Sequence, residues 1–268
     1  MNMRRLDGKV AIISGSGRGI GRKLALKLAE HGASVVVNDL DEQHADEVVG
    51  QIRDAGGKAI ACVGDVTAPD FGERFVHAAL TTFAGIDIIV NNAGYTHDAV
   101  IQKQTDAQFQ AMLDVHVTAP FRILRAAAEP LRAMAKQEAA EGREVIRKVV
   151  NISSMAGTHG NAGQVNYSSA KAALVGMTKT LCKEWGRFKV CVNCIAFGLI
   201  DTRLTQPDGD PASQPAIPSS VRDALIAGIP LGRAGTAREA ADSVYLFCIP
   251  ESDYISGQTL IVSGGLSL

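Results

Sequence analysis

Within the stretch NISSMAGTHGNAGQVNYSSAK, Tyr167 and Lys171 stand four residues apart. On a helix that spacing puts both side chains on one face, a phenol within reach of an ammonium. Such a pair can pass a proton to or from a bound oxygen. Alone the pattern means little, because four tyrosines and eleven lysines in 268 residues give about 0.16 chance matches. Ser154 strengthens it, since this hydroxyl follows the apolar run KVVNIS. Ligands of open α/β sheets bind beyond the carboxyl ends of the strands. Hydroxyl, phenol and ammonium would then share that edge.

A second group of residues points to a nucleotide. The turn SGSGRGIG, Ser14 to Gly21, closes an apolar run and opens a helical pattern. The fingerprint GxGxxG fails, because Ile20 stands at its third glycine; the spacing is Gly15, Gly19, Gly21. The physics is similar: glycine permits φ > 0, lets backbone approach a pyrophosphate, and sets a helix N-terminus against negative charge. The turn supplies Gly15, Ser16, Gly17, Arg18, Gly19, Ile20 and Gly21 as candidate contacts. Asp39, in VVVNDLD, comes 18 residues after Gly21 and is followed by Leu40. That is close to the spacing of about 20 at which an acid meets the adenine ribose. A carboxylate there accepts from both ribose hydroxyls and repels a 2′-phosphate, at about 4 kcal/mol for charges about 4 Å apart and an effective dielectric of about 20. Arg18 pulls the other way, toward the phosphate. NAD is therefore the expected cofactor, with NADP as the alternative.

These groups need a scaffold that brings strand ends together. Short β-branched runs occupy 9–14, 34–38, 58–63, 86–92, 148–153, 189–195 and 259–262, with helical patterns such as GRKLALKLAEHG between them. Such alternation predicts right-handed crossovers and a doubly wound α/β fold: one Rossmann-type domain over 1–268, a seven-stranded parallel sheet with helices on both faces. Two segments break the rhythm. Gln137–Lys148 is charged and reads as a surface extension of the preceding helix. Leu204–Pro218 holds four of the nine prolines and reads as part of a substrate lid at about 203–229, a disordered insertion being the alternative.

Bulk properties narrow the function. A net charge of −1 gives no footprint for nucleic acid or an acidic membrane surface. The start, MNMRRLDGK, lacks an apolar stretch after its basic residues, and no run nears the roughly 20 apolar residues of a membrane span. Five scattered cysteines, an odd number, suggest reduced thiols in the cytoplasm. Cys191 and Cys194 form a CxxC on a strand pattern, where residues three apart face opposite ways. No zinc set or HExxH spacing completes a metal site.

Taken together, the motifs resemble the classical short-chain dehydrogenase/reductases over nearly the whole chain. The resemblance implies that Asp65 and Val66 meet the adenine, that Asn92, Ala93 and Gly94 of NNAG pack beneath the nicotinamide ribose, and that Gly198, Ile200 and Thr202 of FGLIDT hold the carboxamide. Ser154, Tyr167 and Lys171 match the catalytic trio, with Tyr167 and Lys171 also touching the cofactor. A hydride would pass between nicotinamide and a carbonyl carbon or secondary alcohol, Tyr167 moving the proton and Ser154 fixing the oxygen. Lowering a phenol by about 3 units takes about 4 kcal/mol. An ammonium about 4.5 Å away supplies that at an effective dielectric of about 20.

Within the family the likeness is nearest to 3-oxoacyl-acyl-carrier-protein reductases and 3-hydroxyacyl thioester dehydrogenases, commonly homotetramers acting on small molecules. Tyr95, Thr96, His159, Gln164 and Phe197 are candidate pocket residues, uncharged apart from a protonatable His159, which suits a neutral or apolar reacting end. An NADPH-driven 3-oxoacyl reductase is the competing enzyme reading, and a non-catalytic dinucleotide sensor or scaffold the reading of another class. Three positions depart from the family. His116 replaces an asparagine that bonds backbone and holds a water leading to the lysine; as a stand-in relay it would imprint a titration near pH 6.5 on the rate, a satisfied structural histidine being the alternative. Phe197 replaces a proline, loosening the lid entrance or lining the pocket. Ser263 stands where aspartate is common, for no reason visible in the sequence.

Overall fold

Every residue of Val10–Ile13 is buried, and its side chains alternate between two separate cores. Ala11 and Ile13 enter one core, Val10 and Ile12 the other, as the period-two pleat requires. Val35 and Val37 join the first and Val36 the second. A strand covered on both faces must read as continuously apolar, and these do.

The computed structural model describes residues 4–205 and 219–266. In chain order it runs β1 (Val10–Ile13), α1 (Gly19–Glu30), β2 (Ser34–Val37), α2 (Glu42–Asp54), β3 (Lys58–Ala61), α3 (Phe71–Phe83), β4 (Ile88–Asn91), α4 (Asp106–Leu113) and α5 (Ala119–Ala140). There follow β5 (Arg147–Ser154), α6 (Met155–His159), α7 (Val165–Trp185), β6 (Val190–Phe197), β7 (Ile200–Asp201), α8 (Ser219–Ala227), β8 (Gly235–Thr236), α9 (Ala237–Leu246) and β9 (Thr259–Val262). Seven strands form one parallel sheet in the order β3-β2-β1-β4-β5-β6-β9, the doubly wound architecture that the alternation predicts. Strand order reverses between β1 and β4, so their carboxyl ends open a crevice at the switch point.

Local chemistry sets the helix starts beside that crevice. Asp41 caps α2 by accepting from the Gln43 amide at 2.9 Å. Thr105 and Gln108 form a reciprocal capping box on α4, as Thr236 and Glu239 do on α9. Between α4 and α5, Asp114–Thr118 widens into one π turn.

Two findings differ from the sequence reading. The short parallel ribbon β7–β8 lies outside the seven runs, because two-residue strands leave no periodicity. Residues 137–148 are only partly a helical surface extension: α5 stops at Ala140, while Arg147 and Lys148, each 3% exposed, begin β5. Both are buried because both are paired. Arg147 forks onto Glu138 at 2.8 and 2.5 Å and donates from Nε to the Ile86 carbonyl at 3.1 Å. Lys148 Nζ lies 2.6 Å from Asp253 Oδ1 and 3.1 Å from Ser252 Oγ. The lid segment is described only in part. Residues 206–218 lie outside the described residues; the described part of 203–229 includes a 3₁₀ turn, Arg203–Thr205, and α8, which buries no residue.

Among the described residues, no helix is long and apolar enough to cross a membrane, and no cluster of three or more His, Cys, Asp or Glu is placed to hold a metal. All five cysteines are free thiols.

Candidate active site

Ser154 is the last residue of β5 and also caps α6, accepting from the Ala156 amide at 3.2 Å. Tyr167 and Lys171 sit one turn apart on α7, with the lysine Nζ 5.5 Å from the centre of the tyrosine ring. Lys171 is buried, and its Nζ donates to the Ile152 carbonyl at 2.7 Å. The Ser153 hydroxyl donates to the Lys171 carbonyl at 2.8 Å, tying β5 to the helix behind the pair. Deeper still, Asn91 donates to Asn151 at 2.8 Å and Asn151 to Thr178 at 2.9 Å, linking β4, β5 and α7.

Burial governs the electrostatics of the pair. It pushes the Tyr167 phenol up to about 12, with Ser154 pulling it down and the Asp98 carboxylate adding to the rise. Burial also brings Lys171 down to about 8. The protein's own groups therefore leave the phenol protonated, and the sequence reading draws on a positive nicotinamide beside Lys171 to make it acidic. Desolvation penalises the charged form of each group and is the largest influence on both.

His116 lies in the π turn, buried, its ring edge-on to the Tyr167 ring with centroids 5.2 Å apart. Its Nε2 is 2.7 Å from the Tyr95 carbonyl oxygen, which can only accept, so Nε2 carries the hydrogen. In the neutral ring Nδ1 is then a bare acceptor, and it is buried with no partner. Burial, with the neighbouring Lys171 charge, holds the imidazole well below its ordinary value. A titration near pH 6.5 at this residue is thus not expected, which corrects the sequence reading. Gly94 faces the ring so closely that a Cβ there would stand 2.2 Å from His116 Cε1.

The glycine turn is built for close approach. A Cβ at Gly15 would meet Ala93 Cα at 2.7 Å, and one at Gly21 the Gly15 carbonyl oxygen at 2.3 Å. Gly19 has φ +55° with open space beside it. The α1 N-terminus has neither a side-chain cap nor an acid in its first turn, which leaves its amides free for an anion. Asn92 holds the turn from the β4 side, donating to the Ser14 and Gly15 carbonyls at 3.0 and 2.9 Å. Asn38, which sequence reading passed over, holds it from the β2 side. Its Oδ1 accepts from the Gly15 amide at 3.0 Å, and its Nδ2 donates to the Cys62 and Gly64 carbonyls at 3.0 and 3.1 Å. A buried amide ending the apolar strand VVVN was the available signal. The Ser16 hydroxyl is spent internally, donating to the Ile13 carbonyl at 2.7 Å.

Asp39 stands against the turn, only 7% exposed; a Cβ on Gly17 would lie 2.5 Å from its Oδ2. Arg18 Nη2 is 3.9 Å from Asp39 Oδ1. Leu40 beyond it is exposed, and Asp65 accepts from the Thr67 amide and hydroxyl at 2.8 Å each, with Val66 buried behind. On the far side, Gly198 is seated against Ser263 and Met155, with Ile200 buried and Thr202 at intermediate depth.

At the mouth, two loops are joined. Gln164, at the start of α7, donates to Asp98 Oδ2 at 2.8 Å and to the Thr96 hydroxyl at 3.3 Å. Asn166 donates to the His97 carbonyl at 3.0 Å, and the Ala99 amide to the Gly163 carbonyl at 2.8 Å. The mouth therefore carries a full negative charge, Asp98, which the list of uncharged pocket residues missed; one aspartate in an irregular loop gives no periodic signal. Phe197 is corrected too: it is buried in the hydrophobic core with Ile195 and Ile200, not exposed in the pocket. Ser263 gains a physical account. Its hydroxyl donates to the Leu266 carbonyl at 3.0 Å, fastening the turn after β9, while its Cβ fills the space facing Gly198.

A doubly wound sheet with a glycine turn at its switch point and a serine, tyrosine and lysine at the same edge defines a dinucleotide-dependent oxidoreductase. A family model described as enoyl-(acyl carrier protein) reductase matches residues 15–267, and the chain belongs to the short-chain dehydrogenase/reductase family. It is an NAD(P)-dependent oxidoreductase. Among its relatives, the 3-oxoacyl-acyl-carrier-protein reductase FabG of Vibrio cholerae is 37% identical over 97% of this chain and 98% of that one. The corresponding reductase of Synechocystis is 36% identical over 98% and 99%. A crystal structure of a gluconate 5-dehydrogenase from Burkholderia cenocepacia, in complex with NADP and tartrate, superposes with a TM-score of 0.86 at 31% identity, covering 99% of this chain and 97% of that one.

Proposed function

We propose that the chain reduces the ketone of a 3-oxoacyl-type substrate, or oxidises the matching 3-hydroxyacyl alcohol, with Ser154, Tyr167 and Lys171 as its catalytic residues and NAD as its preferred cofactor. One observation carries the reading: Ser154 bonds the Tyr167 phenol and Lys171 lies 5.5 Å from its ring centre, beside a glycine turn whose helix lacks a side-chain cap. The turn, Asn92, Asp39 and the NNAG backbone fit a dinucleotide, which when bound supplies the hydride-carrying carbon. Tyr167, held near 12, is protonated at neutral pH and suited to give its proton to an oxygen as negative charge develops there. Ser154 steadies that oxygen by a hydrogen bond, and Lys171 sits behind to share the charge. His116 supports the phenol from the side, as a neutral ring.

Asp39 supports NAD, since it lies hard against Gly17 and its nearest cation, Arg18, is drawn toward it rather than left for a phosphate. The NADPH reading draws on the 3-oxoacyl-reductase relatives and on the NADP named in the neighbouring structure. Assembly into homo-oligomers is supported by β9, an edge strand with Leu260 and Ile261 exposed, and by the protruding Tyr254. Free thiols suit a reducing compartment such as the cytoplasm.

The test pairs wild type with Tyr167→Phe on 3-oxoacyl thioesters, using NADH and NADPH. Wild type is expected to consume NADH faster, and the variant to lose about 10³-fold in kcat while still binding nucleotide. Near-normal turnover without the hydroxyl ends the assignment.

A further inference from the structure

Asp98 brings a charge to a site otherwise described as neutral at its mouth. Its two oxygens are held separately, one by the Thr96 hydroxyl and the other by Gln164 at 2.8 Å. Gln164 is the residue from which α7 starts, so the carboxylate is fixed against the first turn of the helix that carries Tyr167. Backbone and side-chain bonds from Gly163 and Asn166 fasten the same two loops, which prevents Asp98 from swinging away. Among the described residues its side-chain partners are the uncharged Thr96 and Gln164, and Lys171 is committed inward, to the Ile152 carbonyl. The phenol already feels this charge. Asp98 also stays exposed, so a substrate entering over Tyr167 passes it.

We propose that Asp98 is a specificity-determining residue that excludes a free carboxylate next to the reacting ketone and admits neutral 3-oxoacyl thioesters, whose amide N–H or hydroxyl donors it can bond. This deepens the proposed function and rests on it. An incoming carboxylate would meet a like charge with no compensating cation, whereas a thioester removes that charge and leaves donors for the unused lone pairs.

The experiment compares two forms of one ketone, 3-oxobutanoyl-N-acetylcysteamine and free 3-oxobutanoate, in wild type, Asp98→Asn and Asp98→Lys. The measured quantity is the ratio of their kcat/KM values, which general damage to the fold leaves in place because both rates fall together. Wild type is expected to favour the thioester beyond the difference in intrinsic electrophilicity of the two ketones. Asp98→Asn should shrink the ratio about fivefold and Asp98→Lys further still. Raising salt toward 1 M should shrink it in wild type and hardly at all in Asp98→Asn, because screening acts only where the charge remains. A ratio indifferent to both substitutions and to salt overturns the inference while leaving the reductase reading intact. Failure of wild type to reduce either ketone with either nicotinamide overturns the reading itself, and this inference with it.

Discussion

The His116 imidazole meets the Tyr167 phenol edge to face, with ring planes at 84° and centroids 5.2 Å apart. The same imidazole is tied by Nε2 to the Tyr95 carbonyl, one residue beyond NNAG. One side chain thus joins the loop after β4 to Tyr167, and it reaches both from the widened π turn that carries it.

Because burial holds His116 well below its ordinary value, it stays neutral through the physiological range. The rate of the wild-type enzyme should show no inflection near pH 6.5 from this group, and His116→Asn should alter kcat without adding or removing one. Stability carries the complementary signature. Below pH 6.5 the unfolded chain protonates this histidine before the folded chain does, so the unfolded state binds more protons and stability falls on acidification. Urea melts between pH 5 and 7 should lose part of that slope in His116→Asn; an unchanged slope would mean the imidazole takes up its proton in the fold as readily as in the unfolded chain.

Gly94 is fixed by contact, not by backbone strain. A methyl at this position would press on the edge of the His116 ring, whose Cε1 would lie 2.2 Å away. Gly94→Ala should lower stability by about 1–3 kcal/mol through overpacking. Adding His116→Ala should restore much of the loss, since the methyl then enters vacated space. A double-mutant cycle read by thermal melting checks this, and strictly additive losses would place the strain elsewhere.

The carboxylate at the lip of the glycine turn gives the cofactor prediction. Replacing Asp39 with serine removes the repulsion that a 2′-phosphate meets and leaves Arg18 free to face it. The NADP-to-NAD ratio of kcat/KM should rise by tenfold or more, about 1.4 kcal/mol or above. Should Asp39→Ser keep wild-type discrimination, selectivity lies in another part of the site.

The scaffold was legible because its strands are buried on both faces and so write their pattern in local composition, as VAII and SVVV do. The trio Ser154, Tyr167 and Lys171 was legible because two of its members share a helix and the third ends a strand. Asn38, Asp98 and the Asn91–Asn151–Thr178 chain were not. Each acts across 20 or more residues of sequence, where neither period nor spacing leaves a trace. Charge misled in one place: Arg147 and Lys148 read as surface because their partners lie in other elements. The pKa balance of Tyr167 and Lys171 was also out of reach, since depth of burial decides it and sequence does not state depth.

The burial of Arg147 has an energetic consequence that can be measured. Arg147 enters the sheet almost fully buried and is balanced by a two-pronged contact with Glu138 from the end of α5, the glutamate being 12% exposed. Taking the guanidinium out of water is costly, and the carboxylate offsets that cost only while both prongs are made. Glu138→Gln keeps the shape but leaves a buried cation facing an amide, so stability should fall by about 3–5 kcal/mol. Replacing both residues together, Arg147→Met with Glu138→Leu, removes the stranded charge and should recover most of that loss, as apolar substitutes for buried pairs often do. Denaturant melts of the single and double variants decide the matter. If Glu138→Gln melts like wild type, water reaches Arg147 and the pair lies at the surface in solution.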